Sequence, residues 1–167
     1  MAYSRTHANR GKFLENLIDM ANDNYLLKDI ADIRKVPTPF KPLNTKAGKV
    51  TGHFEKPTWV DYSGIYEGKA IIFDAKQTAE TAFPLSKLSQ HQYNLLKSWH
   101  QKGARAFLLV YFSQHDKYFI LLFDDLELAW ERAEMGGRKS IAYKEFQAWG
   151  YEVRSKDGYA LHYLEAI

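Results

Sequence analysis

The 167-residue sequence has no cysteine. That excludes a disulfide framework and a thiolate metal site, and it fits a reducing compartment. No uninterrupted apolar run approaches the roughly 18 residues read as a membrane-spanning helix. The start, Met1-Ala2-Tyr3-Ser4-Arg5, does not read as a signal peptide, so secretion and membrane insertion are not expected and a cytoplasmic location is. Acids are nearly missing from two stretches. Residues 1–12 carry Arg5, His7, Arg10 and Lys12 and no acid, and residues 35–56 set Lys35, Lys41, Lys46, Lys49, His53 and Lys56 against Glu55 alone. Acids gather instead at residues 124–134. The formal net charge is only +3, but a basic front and an acidic back point to a polyanion on one face; the competing reading is a solvated tail and loop.

What is present suits one globular domain with a sizeable core: 46% of residues are apolar and 15% aromatic. Asn9 reads as an N-cap, and Phe13, Leu14, Leu17, Ile18 and Ala21 follow at helical spacing, predicting a helix over 10–25 with Glu15 near the edge of its apolar stripe. Residues 30–36 suit a short strand. Four of the five prolines, Pro37, Pro39, Pro42 and Pro57, fall in one stretch that also holds Gly48 and Gly52. Such a stretch cannot be a regular helix and is too long for an ordinary connection, so a protruding basic arm is expected over about 37–58. Phe54 within it reads either as a minor packing residue or as an apolar wedge against unstacked bases. Ser89-Gln90-His91-Gln92 fits a capping box opening a helix that Gly103 closes. Two continuous apolar runs, 106–112 and 118–123, read as strands buried on both faces. Helices are expected over 125–133 and 141–149. The order predicts an α/β fold with a central mixed sheet flanked by helices.

Two acids and a lysine carry the chemistry. Asp74 and Lys76 are two apart in a strand-like run, so they share a face. If Glu67-Gly68 is a two-residue hairpin loop, Tyr66 pairs with Lys69 and Asp61 falls opposite Asp74. Opposed residues have Cβ atoms about 4.5–5.5 Å apart. Carboxylates that close repel unless a proton or cation lies between them. A hard divalent ion resolves this, because Mg²⁺ is held by one or two carboxylates plus water and phosphate oxygens. Lys76 on the same face can steady a phosphate or a water. The bland reading of an Asp and a Lys two apart is a pair of solvated charges.

Asp61 with Asp74-Ala75-Lys76 resembles the PD-(D/E)xK motif of the restriction-endonuclease-like nucleases. More specific text surrounds it: Asn9-Arg10-Gly11 with Glu15, the run from Asp61-Tyr62-Ser63-Gly64 to Glu67-Gly68-Lys69, Phe73-Asp74-Ala75-Lys76-Gln77-Thr78, Phe83-Pro84-Leu85 and His91-Gln92. In order and spacing these resemble the RecU-type Holliday junction resolvases of low-GC Gram-positive bacteria and their phages. The resemblance implies a restriction-endonuclease-like core with a stalk insertion. It implies a homodimer that nicks four-way DNA junctions symmetrically with Mg²⁺, Mn²⁺ substituting. Carried over, Asp61 and Asp74 hold the metal, Lys76 is the catalytic lysine, Gln92 reaches the metal site from its helix, and Glu15 lies near a metal-bound water. The basic residues Arg5, Arg10, Lys12, Lys41, Lys46, Lys49 and Lys56, with Phe54, would meet DNA. Asp74 stands where many members have Glu, Val60 stands where relatives have Thr, and the stalk is shorter than usual. These departures suggest a minimal, phage-encoded version, and leave any contact with recombinase or branch-migration proteins without support. Two other functions stay open: a non-cleaving, strand-bridging DNA-binding module, and a sequence-specific endonuclease on the same fold.

Overall fold

The computed structural model describes residues 7–55 and 59–167, with side chains from Lys12 onward. Helix α1, His7–Leu27, opens the chain. It already runs at His7, so Asn9 lies inside the helix and is not its cap. A cap preference of about 1 kcal/mol does not stop a helix from starting earlier. At the other end Asp29 takes the left-handed position (φ 55°), and the Ile30 N–H donates to the Tyr25 carbonyl at 2.9 Å. This is a closure usually given to glycine.

The strands follow as β1 Ala31–Lys35, β2 Phe40–Lys46, β3 Lys49–Phe54, β4 Tyr62–Tyr66 and β5 Lys69–Thr78, then β6 Ala82–Pro84, helix α2 Gln90–His100, β7 Arg105–Phe112 and β8 Lys117–Leu122. Helix α3 Phe123–Glu134, β9 Ser140–Ala142, helix α4 Tyr143–Trp149 and β10 Tyr151–Val153 complete the elements before a C-terminal 3₁₀ turn, Tyr163–Ala166. Six strands form one mixed sheet in the order β1-β4-β5-β7-β8-β10. β5 and β7 run parallel, joined by the α2 crossover, and the other neighbours are antiparallel. This is the α/β architecture expected from the sequence.

Alternation along β5 divides the core. Ile72 faces a cluster with Leu96 of α2, Leu126 of α3 and Phe146 of α4, while Ile71 and Phe73 face Leu14, Ile18 and Tyr25 of α1 and Tyr163 of the C-terminal turn. On the α1 side Tyr62, Phe73 and Phe107 stack across three adjacent strands, with ring centroids 4.9 and 4.6 Å apart and planes tilted by 9° and 10°. β7 is buried on both faces, as its unbroken apolar run predicts.

Within the proline-rich arm, β2 and β3 pair as a separate two-stranded hairpin turning at Ala47 and Gly48 (φ 51° and 77°), with every residue of both strands exposed. Two boundaries differ from expectation. The helix expected over 141–149 begins only at Tyr143, because Ile141 is buried in β9 opposite Phe83 of β6. Phe123 belongs to α3 and not to β8. Among the described residues no helix is long and apolar enough to cross a membrane.

Candidate nuclease site

The turn between β4 and β5 is the two-residue loop expected. Glu67 and Gly68 have φ of 50° and 72°, and Tyr66 pairs with Lys69. The register then pairs Tyr62 with Phe73, which brings Asp61, in the bend before β4, next to Asp74. Two backbone bonds lock the acids together. The Asp61 N–H donates to Asp74 Oδ1 at 3.2 Å, and the Ala75 N–H donates to Asp61 Oδ2 at 2.9 Å. Asp74 has no solvent exposure. Lys76, two residues along the strand, forms an ion pair with Asp74 Oδ2. Ser89 and Gln92 form the expected capping box of α2. The same Gln92 sends its amide nitrogen to both Asp74 oxygens, at 3.0 and 3.1 Å, while its oxygen accepts from the Ser89 N–H at 3.1 Å. Gly103 (φ 90°) closes α2, with Ala104 N–H donating to the Trp99 carbonyl at 3.0 Å.

The electrostatics follow from burial. Loss of solvent pushes the Asp74 carboxyl up to about 7; Lys76 pulls against this, and the Asp61 charge adds to it. A buried carboxylate held against a second one is a site that gains by taking up a cation. The donors are hard oxygens, and among the described residues no cluster of three or more His, Cys, Asp or Glu could hold a metal. Two neighbouring carboxylates are the oxygen donors that a hard divalent cation takes. Val60, next to Asp61, is only 2% exposed and packs with Ile72 and Leu96, which accounts for an apolar residue there.

Glu15 does not touch these acids. It sits on α1, with Oε2 2.7 Å from Lys35 Nζ at the end of β1, while the Tyr62 hydroxyl donates to its backbone carbonyl at 3.3 Å and to Asp19 Oδ1 at 2.8 Å. Nothing in the local sequence pattern singles out Lys35, Asp19 or Tyr62. They meet only because α1 packs on β1 and β4, and no local spacing announces that. The expected DNA-contacting residues are spread out. Lys12 is exposed on α1, Arg10 lies on the same helix, and Arg5 and Lys56 fall outside the described residues. Lys41, Lys46 and Lys49 are on the hairpin, and its register sorts them. Opposed residues share a face, so Lys41/His53, Asn44/Thr51 and Lys46/Lys49 form a basic, polar face, and Phe40/Phe54, Pro42/Gly52 and Thr45/Val50 form the other. Phe54 is 71% exposed and meets Phe40 edge-on, with ring centroids 5.3 Å apart.

A family model described as RecU, Recombination protein U, matches residues 9–167. A Holliday junction resolvase RecU of Pediococcus pentosaceus is 36% identical over 96% of this chain and 84% of its own length. Proteins of the same name from Staphylococcus carnosus and Oenococcus oeni are 35% and 36% identical over 96% of this chain, and over 81% and 85% of their own lengths. A nearly full-length match to the family model, and identities of this size over nearly the whole chain, place the protein: it belongs to the RecU family.

Proposed function

We propose that this protein is a Holliday junction resolvase that hydrolyses phosphodiester bonds at four-way DNA junctions in recombination and repair, as a Mg²⁺-dependent homodimer. The observation that carries the reading is the contact of Asp61 with the fully buried Asp74, with Lys76 paired to the same carboxylate. Asp61 and Asp74 are the metal-holding residues. Bound Mg²⁺, or Mn²⁺ in its place, supplies Lewis acidity and a water of lowered pKa. Lys76 holds its ammonium where a phosphate oxygen gaining charge is stabilised. Gln92 keeps Asp74 oriented, and a half-turn of its amide would present oxygen to the same place. Glu15 orients water from the α1 side. The basic face of the β2–β3 hairpin takes phosphates without reading sequence.

The deciding experiment is cleavage of a labelled four-way junction beside linear duplex, with Mg²⁺ or EDTA. The wild type cuts the junction symmetrically only with Mg²⁺. Asp74→Asn abolishes cutting and leaves junction binding nearly intact, and Lys76→Ala slows it by about 10²–10³. Normal turnover by Asp74→Asn would end the assignment, binding without cutting by the wild type would mark a bridging module, and preferential cutting of duplex would mark a sequence-specific enzyme.

A further inference from the structure

One ammonium beside the site has no part in the chemistry above. Lys35 ends β1 and is paired with Tyr62 in register, so its side chain shares a face with the Tyr62 ring. That face meets α1, which presents Glu15 and Asp19 four residues apart, hence on one flank of the helix. Lys35 Nζ lies 2.7 Å from Glu15 Oε2, and the neighbouring Val36 N–H donates to the Asp61 carbonyl at 2.8 Å. The end of the strand is thus tied to Asp61 through its backbone and to Glu15 through its side chain. Partial burial pulls the ammonium down, but its hydrogen bond to Glu15 and the charges of Glu15, Asp19 and Asp61 outweigh this and raise its pKa. Three acids from two parts of the chain therefore act on one lysine. The side chains of Lys35 and Glu15 are 44% and 35% exposed. An ion pair that open adds little stability.

We propose that Lys35 is a positioning residue of the nuclease site: it fixes the Glu15 carboxylate beside the Asp61 end of the carboxylate pair, so that α1 contributes its acid in one place. This rests on the reading of Asp61 and Asp74 as the cleavage centre. A carboxylate on a helix flank has several rotamers, and a displacement of about 1 Å in a positioning group can cost about 10²-fold in rate. The cation at the end of β1 removes that freedom.

The test uses the full chain, a labelled four-way junction and saturating Mg²⁺. Lys35→Met is expected to lower kcat by about 10–10²-fold with KM for the junction within about twofold. Lys35→Arg, which keeps the charge, recovers most of that activity. In a Glu15→Gln background, Lys35→Met costs less than about twofold more, because the two residues act as one unit. Lys35→Gln serves under the same outcomes if Lys35→Met melts early. Wild-type kcat in the neutral variants overturns the proposal. So does an effect carried by KM, with the salt slope of binding reduced by about 0.9, since that is the mark of a direct phosphate partner. A Lys35→Met defect of equal size with and without Glu15 overturns it too. Asp74→Asn is run alongside: if that variant cuts, the reading of the cleavage centre has failed, whatever the Lys35 variants do.

Discussion

Among the described residues Asp74 is the one buried carboxylate, and ionising it without a cation costs stability. It has no exposure, and its carboxyl is pushed up to about 7 by burial, with Lys76 opposing and Asp61 adding. In the unfolded chain an aspartate titrates near ~3.9. The folded state therefore holds a proton over the window between those values that the unfolded state has released. Native protein binds more protons there, so stability falls as pH rises from about 4 to about 7 and stays reduced above that. Asp74→Asn removes the penalty. In EDTA the variant should melt above wild type at pH 8, by about 2–4 °C for each kcal/mol recovered, with the gap closing towards pH 4. Added Mg²⁺ should raise the wild-type melting temperature at pH 8 and leave that of the variant unchanged, since only a ligand that binds the native state stabilises it. A gap that does not change with pH would mean that burial of this carboxyl is not what costs the fold. At this scale the sequence is informative where neighbours are local. Asp74 and Lys76 share a face by strand alternation, and the Glu67-Gly68 turn sets Asp61 against Asp74. Gln92 is legible from its pattern only as a cap; the family resemblance alone points it towards the acids, and its amide nitrogen meets Asp74. Lys35 and Asp19 are not legible, because their meeting with Glu15 and Tyr62 depends on how α1 lies over β1 and β4.

Among the elements, the hairpin is the hardest to read. Its strands do alternate, but the register shifts between Pro42 and Asn44, which breaks the period of two, and prolines and glycines mask the rest. A Cβ at Gly52 would lie 2.2 Å from the Lys41 carbonyl, so glycine there lets the two strands approach, where from sequence it looks like a loop residue. The basic arm expected over about 37–58 holds this hairpin, whose strands the sequence reading does not specify. The helix expected from Ile141 fails for a related reason: strand residues precede it, and a run as short as Ser140–Ala142 carries no periodicity. The sorted faces of the hairpin sharpen one expectation. Replacing residues 45–52 with a short Gly-Ser turn removes Lys46 and Lys49 from the basic face. Junction binding should weaken far more than duplex binding, and the salt slope should fall by about 0.9 for every phosphate the trimmed hairpin no longer neutralises. A trimmed protein that keeps its full preference for junctions at equal salt would show that discrimination lies elsewhere.

For the whole molecule, symmetric incision of a four-way junction asks for two sites presented at once, and a closed two-fold dimer is the simplest way to provide them. Sedimentation at micromolar concentration without DNA should give the mass of two chains. A mass of one chain, with full junction activity, would contradict this. The mixed sheet and its helices are legible because β7 and β8 are unbroken apolar runs and α1 and α2 keep their helical spacing. The strand order is not, because the pairing of β10 with β8 and of β1 with β4 joins segments far apart in the chain.

The three stacked rings under the sheet bear on how this protein tolerates change. Tyr62 directly follows Asp61, Phe73 directly precedes Asp74, and their rings lie nearly parallel at 4.9 Å on the face turned away from Gln92 and α2. The aromatic stack and the spacing of the two carboxylates are therefore one mechanical constraint seen from opposite sides. A substitution at Tyr62 or Phe73 that lets β4 slide or tilt against β5 would alter the carboxylate gap with Asp61, Asp74 and Lys76 themselves unchanged. In a screen scored by cutting, such variants would sort with the catalytic ones, and only their intact acids and lysine would show that the damage was done from behind.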